Sequence, residues 1–128
     1  MRLLLDTHAF LWFVTASPKL SAEAEGVIRA SGNQLLLSVA SVWETAIKQN
    51  LGRLPIPEPL DSFIPAHLRT NRITLLPIQL RHTFAVSRLP LHHRDPFDRL
   101  LVAQAISESI PVVSADGAFD AYPVQRLW

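Results

Sequence analysis

Cysteine is absent from this chain of 128 residues, which excludes disulfides, thioether-linked haem and any zinc site built on thiolates. Long apolar runs are missing as well. No stretch approaches the roughly 18 apolar residues that a membrane-spanning helix needs. The opening Met1-Arg2-Leu3-Leu4-Leu5 is cut by Asp6 before it could act as the apolar region of a signal peptide. A cytoplasmic protein without membrane attachment is expected. An excess of one charge is lacking too: 12 basic residues against 11 acidic ones give a net charge of +1, so the field of the whole chain does not attract nucleic acid by itself. Lysine is scarce. Only Lys19 and Lys48 occur, and every other basic residue is Arg, whose planar fork matches phosphate oxygens bidentately. A GC-rich genome would produce the same bias.

What is present is a core-forming chain. A hydrophobic content of 48% with 18% charged residues excludes disorder. There is no repeat, low-complexity tract or linker, so one domain spanning residues 1–128 is expected, large enough to bury roughly two-thirds of its unfolded surface. Residues 3–5 and 34–37 read as short strands covered on both faces. Residues 73–76, 112–114 and 124–127 complete a set of four or five strands. Between them lie helical patterns at 7–14, 21–30 (capped by Ser21), from Ser38 or Ser41 to about 50 (stopped by Gly52), 60–70, 80–88, and 96–109 opening with Pro96. Pro55, Pro57 and Pro59 make a stiff connection, and 89–94 is a loop. Short apolar strands alternating with helices imply right-handed crossovers and a short parallel sheet, an α/β chain.

Four acids stand against the most hydrophobic segments: Asp6, Glu44, Asp98 and Asp116. Burying a carboxylate is unfavourable unless a cation meets it. Each has a local structural reading. Asp6 can cap the helix after strand one, Ser41-x-x-Glu44 has capping-box spacing, and Asp116-Gly117 is a turn pair. Asp98 is harder to place so, because it leads a core stripe with Leu101, Val102 and Ala105, while Asp95 before Pro96 is the expected N-cap. Parallel sheets collect their sites beyond the carboxyl ends of the strands. One sheet edge can therefore gather all four acids around an oxygen-liganded divalent cation, as in metal-dependent phosphoryl transfer.

The segments Leu5-Asp6-Thr7-His8, Val42-Trp43-Glu44-Thr45-Ala46-Ile47-Lys48, Arg94-Asp95-Pro96-Phe97-Asp98-Arg99 and Val113-Ser114-Ala115-Asp116-Gly117 together resemble the PIN-domain nucleases, and within them the VapC-like toxins of bacterial toxin–antitoxin systems. The resemblance implies a three-layer α/β/α sandwich around a short parallel sheet of four to five strands, and a Mg²⁺- or Mn²⁺-dependent ribonuclease. Asp6, Glu44, Asp98 and Asp116 match the acidic quartet by motif position, with Asp120 a second candidate for the fourth place. One ion or two would be held. Thr7 and Asp95 are expected to support the ligands from behind. His92, Arg94, Arg99 and Ser114 are candidates for substrate contact, against readings of His92 and His93 as a solvated loop and Arg99 as a surface ion pair. His8 reads as a core or surface histidine. Trp12, Phe13 and Trp43 read as core, with a partner surface as the other reading. The implied partners are an RNA substrate, a cognate antitoxin protein and a second copy of the chain in a homodimer.

Two other enzyme and binding classes share an opening strand that ends in Asp. A haloacid-dehalogenase-like phosphatase needs Asp-x-Asp there, and position 8 is His; a receiver domain needs a paired acid and a late Lys, and neither occurs. A catalytically silent PIN-like module that only binds RNA or protein should have lost acids, yet all four are present.

Overall fold

Leu3, Leu4 and Leu5 are completely buried, Leu3 and Leu5 in one apolar cluster and Leu4 in another. That split is the period of two of a strand covered on both faces. It organises the whole computed structural model, which describes residues Met1–Trp128. Strands β1 (Arg2–Leu5), β2 (Gln34–Ser38), β3 (Ile73–Leu76), β4 (Val112–Val113) and β5 (Arg126–Leu127) form one parallel sheet in the order β3-β2-β1-β4-β5. The helices are α1 (Thr7–Val14), α2 (Ala22–Arg29), α3 (Val39–Asn50), α4 (Leu60–Thr70), α5 (Leu80–Ser87) and α6 (Pro96–Glu108), with a 3₁₀ turn at Gly117–Ala121.

The sheet face bearing Leu3, Leu5, Leu35, Leu37 and Val113 packs on Phe10 of α1, Ile28 of α2 and Phe63 and Ile64 of α4. The opposite face, with Leu4, Leu36 and Val112, packs on Leu101, Val102 and Ala105 of α6, and on Phe119 and Tyr122. The result is the expected α/β/α sandwich. Its chain path moves outward from β1 to β2 and β3, then returns to the other side of β1 with β4 and β5. The carboxyl ends of β1 and β4 therefore border the crevice where strand order reverses.

Two local expectations are corrected and one open choice is settled. Ser38 rather than Ser41 caps α3, accepting from the Ala40 amide at 3.0 Å. β2 runs into α3 without a loop, so the hydroxyl of the strand's last residue takes the cap. Ser41 is then buried within the helix with an unpartnered hydroxyl, and no Ser41–Glu44 capping box forms. Glu44 consequently lies in the second turn of α3 rather than the first. The fifth strand begins at Arg126 instead of Val124, because the Val124 amide is turned back onto the Tyr122 carbonyl at 2.7 Å and cannot join a ladder.

Leu4→Ala should destabilise the protein by about 2–5 kcal/mol, read as a lower denaturant midpoint at an unchanged m-value. Leu75→Ala, at an exposed position of β3, should stay within about 0.5 kcal/mol of the parent.

Candidate functional site

Each acid reaches the crevice from a different element. Asp6, directly after β1, caps α1 by accepting from the Ala9 amide at 2.7 Å through Oδ1. Glu44 reaches in from α3; the Thr7 hydroxyl donates to its Oε1 at 2.7 Å and Lys48 Nζ sits 2.8 Å from its Oε2. Asp98 stands in the first turn of α6, behind the cap Asp95, whose Oδ1 accepts from the Phe97 and Asp98 amides. Asp116 follows β4 and caps the 3₁₀ turn, accepting from Ala118 at 2.9 Å. Together they line a cavity of about 230 Å³ with Thr7, His8, Lys48, His93 and Asp95, without one apolar side chain.

Five acids there face one Lys and two imidazoles. Burial raises the Asp6 pKa, against the hydrogen bonds from Ser114 and the Ala9 amide. Burial and then the like charge of Asp95 push Asp98 up to about 7, while His93 acts the other way. Uncompensated carboxylates of this kind suit a hard divalent cation with oxygen ligands, such as Mg²⁺ or Mn²⁺. The donor set fits such an ion, with Asp6, Glu44, Asp98 and Asp116 as its candidate ligands.

His93 belongs to this site rather than to a solvated loop. Its Nδ1 accepts from the Asp95 amide at 3.2 Å, which places the proton of the neutral ring on Nε2. That Nε2–H points at Asp98 Oδ2 at 3.0 Å and Asp116 Oδ2 at 3.3 Å. His93 is thus a donor that draws two carboxylates together. Its adjacency to Arg94 and Asp95 was the available signal. Lys48 also went unassigned, although its spacing of four residues from Glu44 on one helix predicts the ion pair.

Other candidates separate. Ser114 is completely buried, within hydrogen-bonding reach of Asp6, and accepts the Asp116 amide at 3.0 Å; it braces both acids and is shielded from substrate. Arg99 is corrected from phosphate contact to structure, since its guanidinium donates to the carbonyls of Val86, Leu89, Pro90 and His93 and so ties down the loop before α6. His92 packs edge-on against Tyr122 and does not line the acidic cavity. Arg94 lies in a neighbouring groove with Lys48 and Phe97. Asp120 accepts from Nε and Nη2 of Arg126, each at 3.0 Å, which holds it below the usual carboxylate range, and Asp116, not Asp120, lines the cavity. Trp43, expected in the core, is exposed and packs on Phe97 at 5.1 Å.

A family model described as PIN domain matches residues 3–125. Ribonuclease VapC16 of Mycobacterium tuberculosis is 39% identical over 70 residues, covering 52% of this chain and 50% of that protein, so the match spans half the length of this relative. Among solved structures, VapBC2 from Rickettsia felis bound to a DNA fragment from their promoter matches with a TM-score of 0.72 and 17% identity over 100% of each chain. FitAcB from Neisseria gonorrhoeae matches with a TM-score of 0.61 and 18% identity, covering 97% and 95% of the two chains. These two likenesses concern the fold.

The raised pKa of Asp98 carries a sign that can be measured. The folded state holds its proton more tightly than the unfolded chain, so stability present below about pH 3.8 is lost as pH rises toward about 7. In chelator, Asp98→Asn should therefore melt above the parent at pH 8. The advantage should shrink to nothing near pH 4, where the parent carboxyl is already neutral. Melting scans of both proteins across pH 4–8 check this, and an Asp98→Asn protein that melts lower at pH 8 contradicts it.

Proposed function

The chain belongs to the PIN domain family, and from that premise we propose that it is a Mg²⁺- or Mn²⁺-dependent endoribonuclease acting as the toxin of a toxin–antitoxin pair. The observation that carries this reading is the convergence of Asp6, Glu44, Asp98 and Asp116 on one wholly polar cavity at the strand-order reversal. The partial match to a ribonuclease supports RNA as the substrate. Asp6, Glu44, Asp98 and Asp116 would hold a divalent ion, which would supply charge neutralisation at a phosphodiester and a more acidic attacking water.

The residues of the chain do the rest. The cap bond from Ala9 holds Asp6 in one orientation, and the Thr7 hydroxyl fixes the Glu44 carboxylate. Lys48, partly exposed beside Glu44, is the cation best placed to meet a substrate phosphate entering the cavity. His93 keeps Asp98 and Asp116 within reach of one another. Asp95 carries the cap that starts α6, so it acts through position and not through contact.

Protein partners follow from the same reading. No helix is long and apolar enough to cross a membrane, yet Val39, Trp43 and Ile47 of α3 and Leu51 at its end are exposed at a spacing of four residues, and Leu80 and Phe84 are exposed on α5. Such surfaces support protein contacts, here a second copy of the chain and an antitoxin. An antitoxin silences an acidic cavity most simply by inserting Arg or Lys, and truncating that side chain should weaken the complex by about 2–5 kcal/mol.

Purified protein should cleave single-stranded RNA with Mn²⁺ or Mg²⁺ and not in EDTA. Asp6→Asn and Asp98→Asn should each lower cleavage by about 100-fold or more. Asp95→Asn should be far milder, because Asn caps a helix nearly as well as Asp. Cleavage that persists undiminished in EDTA, with contaminating nuclease excluded, rejects the metal-dependent mechanism.

A further inference from the structure

A second cavity, of about 370 Å³, opens beside the acidic one, and His8 lines both. Its chemistry is the reverse of its neighbour's. No carboxylate lines it, and Lys19 and Arg53 supply two cations. Thus both of the chain's lysines lie at these adjoining cavities, Lys48 at the acidic one and Lys19 at the other. The walls are an aromatic stack on α1, where the His8 imidazole lies 5.4 Å from Trp12 at 25°, and the apolar side chains Leu54 and Ile56. Lys19 Nζ stands 5.9 Å from the Trp12 ring centre. Ser17 accepts the Lys19 amide at 3.2 Å and keeps its own hydroxyl proton free to donate.

We propose that this cavity is the base-recognition subsite of the enzyme, taking one unpaired nucleobase of the RNA next to the phosphodiester held at the acidic cavity. The proposal rests on the ribonuclease reading above and adds where substrate selectivity resides. An apolar, aromatic-walled pocket suits the face of a base, which side chains such as His and Trp stack upon. The cationic side chains suit the phosphates that flank that base. Continuity through His8 places the base within a short stretch of strand from the site of cleavage. An acid-free lining with two cations favours a polyanion over an apolar protein segment.

The test is steady-state cleavage of RNA oligonucleotides by the full chain with Mn²⁺. Base preference is first mapped around the cut, and an abasic ribonucleotide is then placed at the most selective position. The abasic substitution should raise KM roughly 5- to 150-fold. Trp12→Leu and the exposed-site change Lys19→Ala should raise KM on intact RNA and flatten the preference at that one position. On abasic RNA, Trp12→Leu should add little, because both changes remove the same stacking contact. Arg69→Ala, which deletes a like charge on α4, should alter neither quantity. The proposal is overturned if the two losses multiply independently, if Lys19→Ala leaves KM and preference as in the parent, or if the parent shows no base preference. Variants that weaken only antitoxin binding would assign the cavity to a peptide and overturn it equally. Failure of the parent to cleave any RNA with Mn²⁺ is a separate result, which removes the ribonuclease function itself.

Discussion

Repulsion among carboxylates at one edge of a short sheet is the constraint on which the arrangement depends. Desolvated like charges resist being gathered, and the fold holds them by tying each to a donor from the chain. Ala9 binds Asp6, Thr7 and Lys48 bind Glu44, Ala118 binds Asp116, and His93 bridges Asp116 and Asp98. Apart from the Lys48–Glu44 ion pair, these ties orient the acids without neutralising them. Asp98, with burial and Asp95 against it, still titrates near 7. A divalent cation held by these oxygens would relieve that repulsion.

Helix capping and ligand placement are often treated as competing explanations for an acid at the end of a strand. Here they coincide. Asp6 and Asp116 each commit Oδ1 to a backbone amide, which fixes the side chain at the cavity wall, and the second oxygen of Asp116 meets His93 there. Asp95 commits its carboxylate to the amides opening α6 and thereby places Asp98, three residues on, at the mouth of the crevice. Division of labour between the two acids of Asp95-Pro96-Phe97-Asp98 follows from helix geometry: the cap lies outside the first turn, and the next inward-facing position lies within it.

Charge is distributed unevenly in a way that a net value of +1 conceals. The acidic cavity and the acid-free cavity adjoin at His8. The two recesses thus offer opposite electrostatics side by side, carboxylates in one and Lys19, Arg53 and an aromatic wall in the other. Basic side chains elsewhere serve structure: Arg99 spans four carbonyls of the 86–93 segment, and Arg126 is closed on Asp120.

The parallel sandwich was legible in residues 1–128 because buried strands such as Leu3-Leu4-Leu5 carry continuous apolar runs, and helices such as α6 carry a stripe beginning at Asp98. The four acids were legible because carboxylates against apolar segments are costly wherever the chain places them. Asp95 as a cap followed from its position before Pro96. Other features depended on distances between segments far apart in sequence. Which serine capped α3 turned on β2 running into the helix without a loop. The choice of Asp116 over Asp120 was made by Arg126, and the roles of His93, Ser114 and Arg99 by partners that no local pattern names. Periodicity and desolvation act along the chain and can be read there, whereas hydrogen-bond partnership and shared cavities exist only once strand order has brought β1 and β4 side by side.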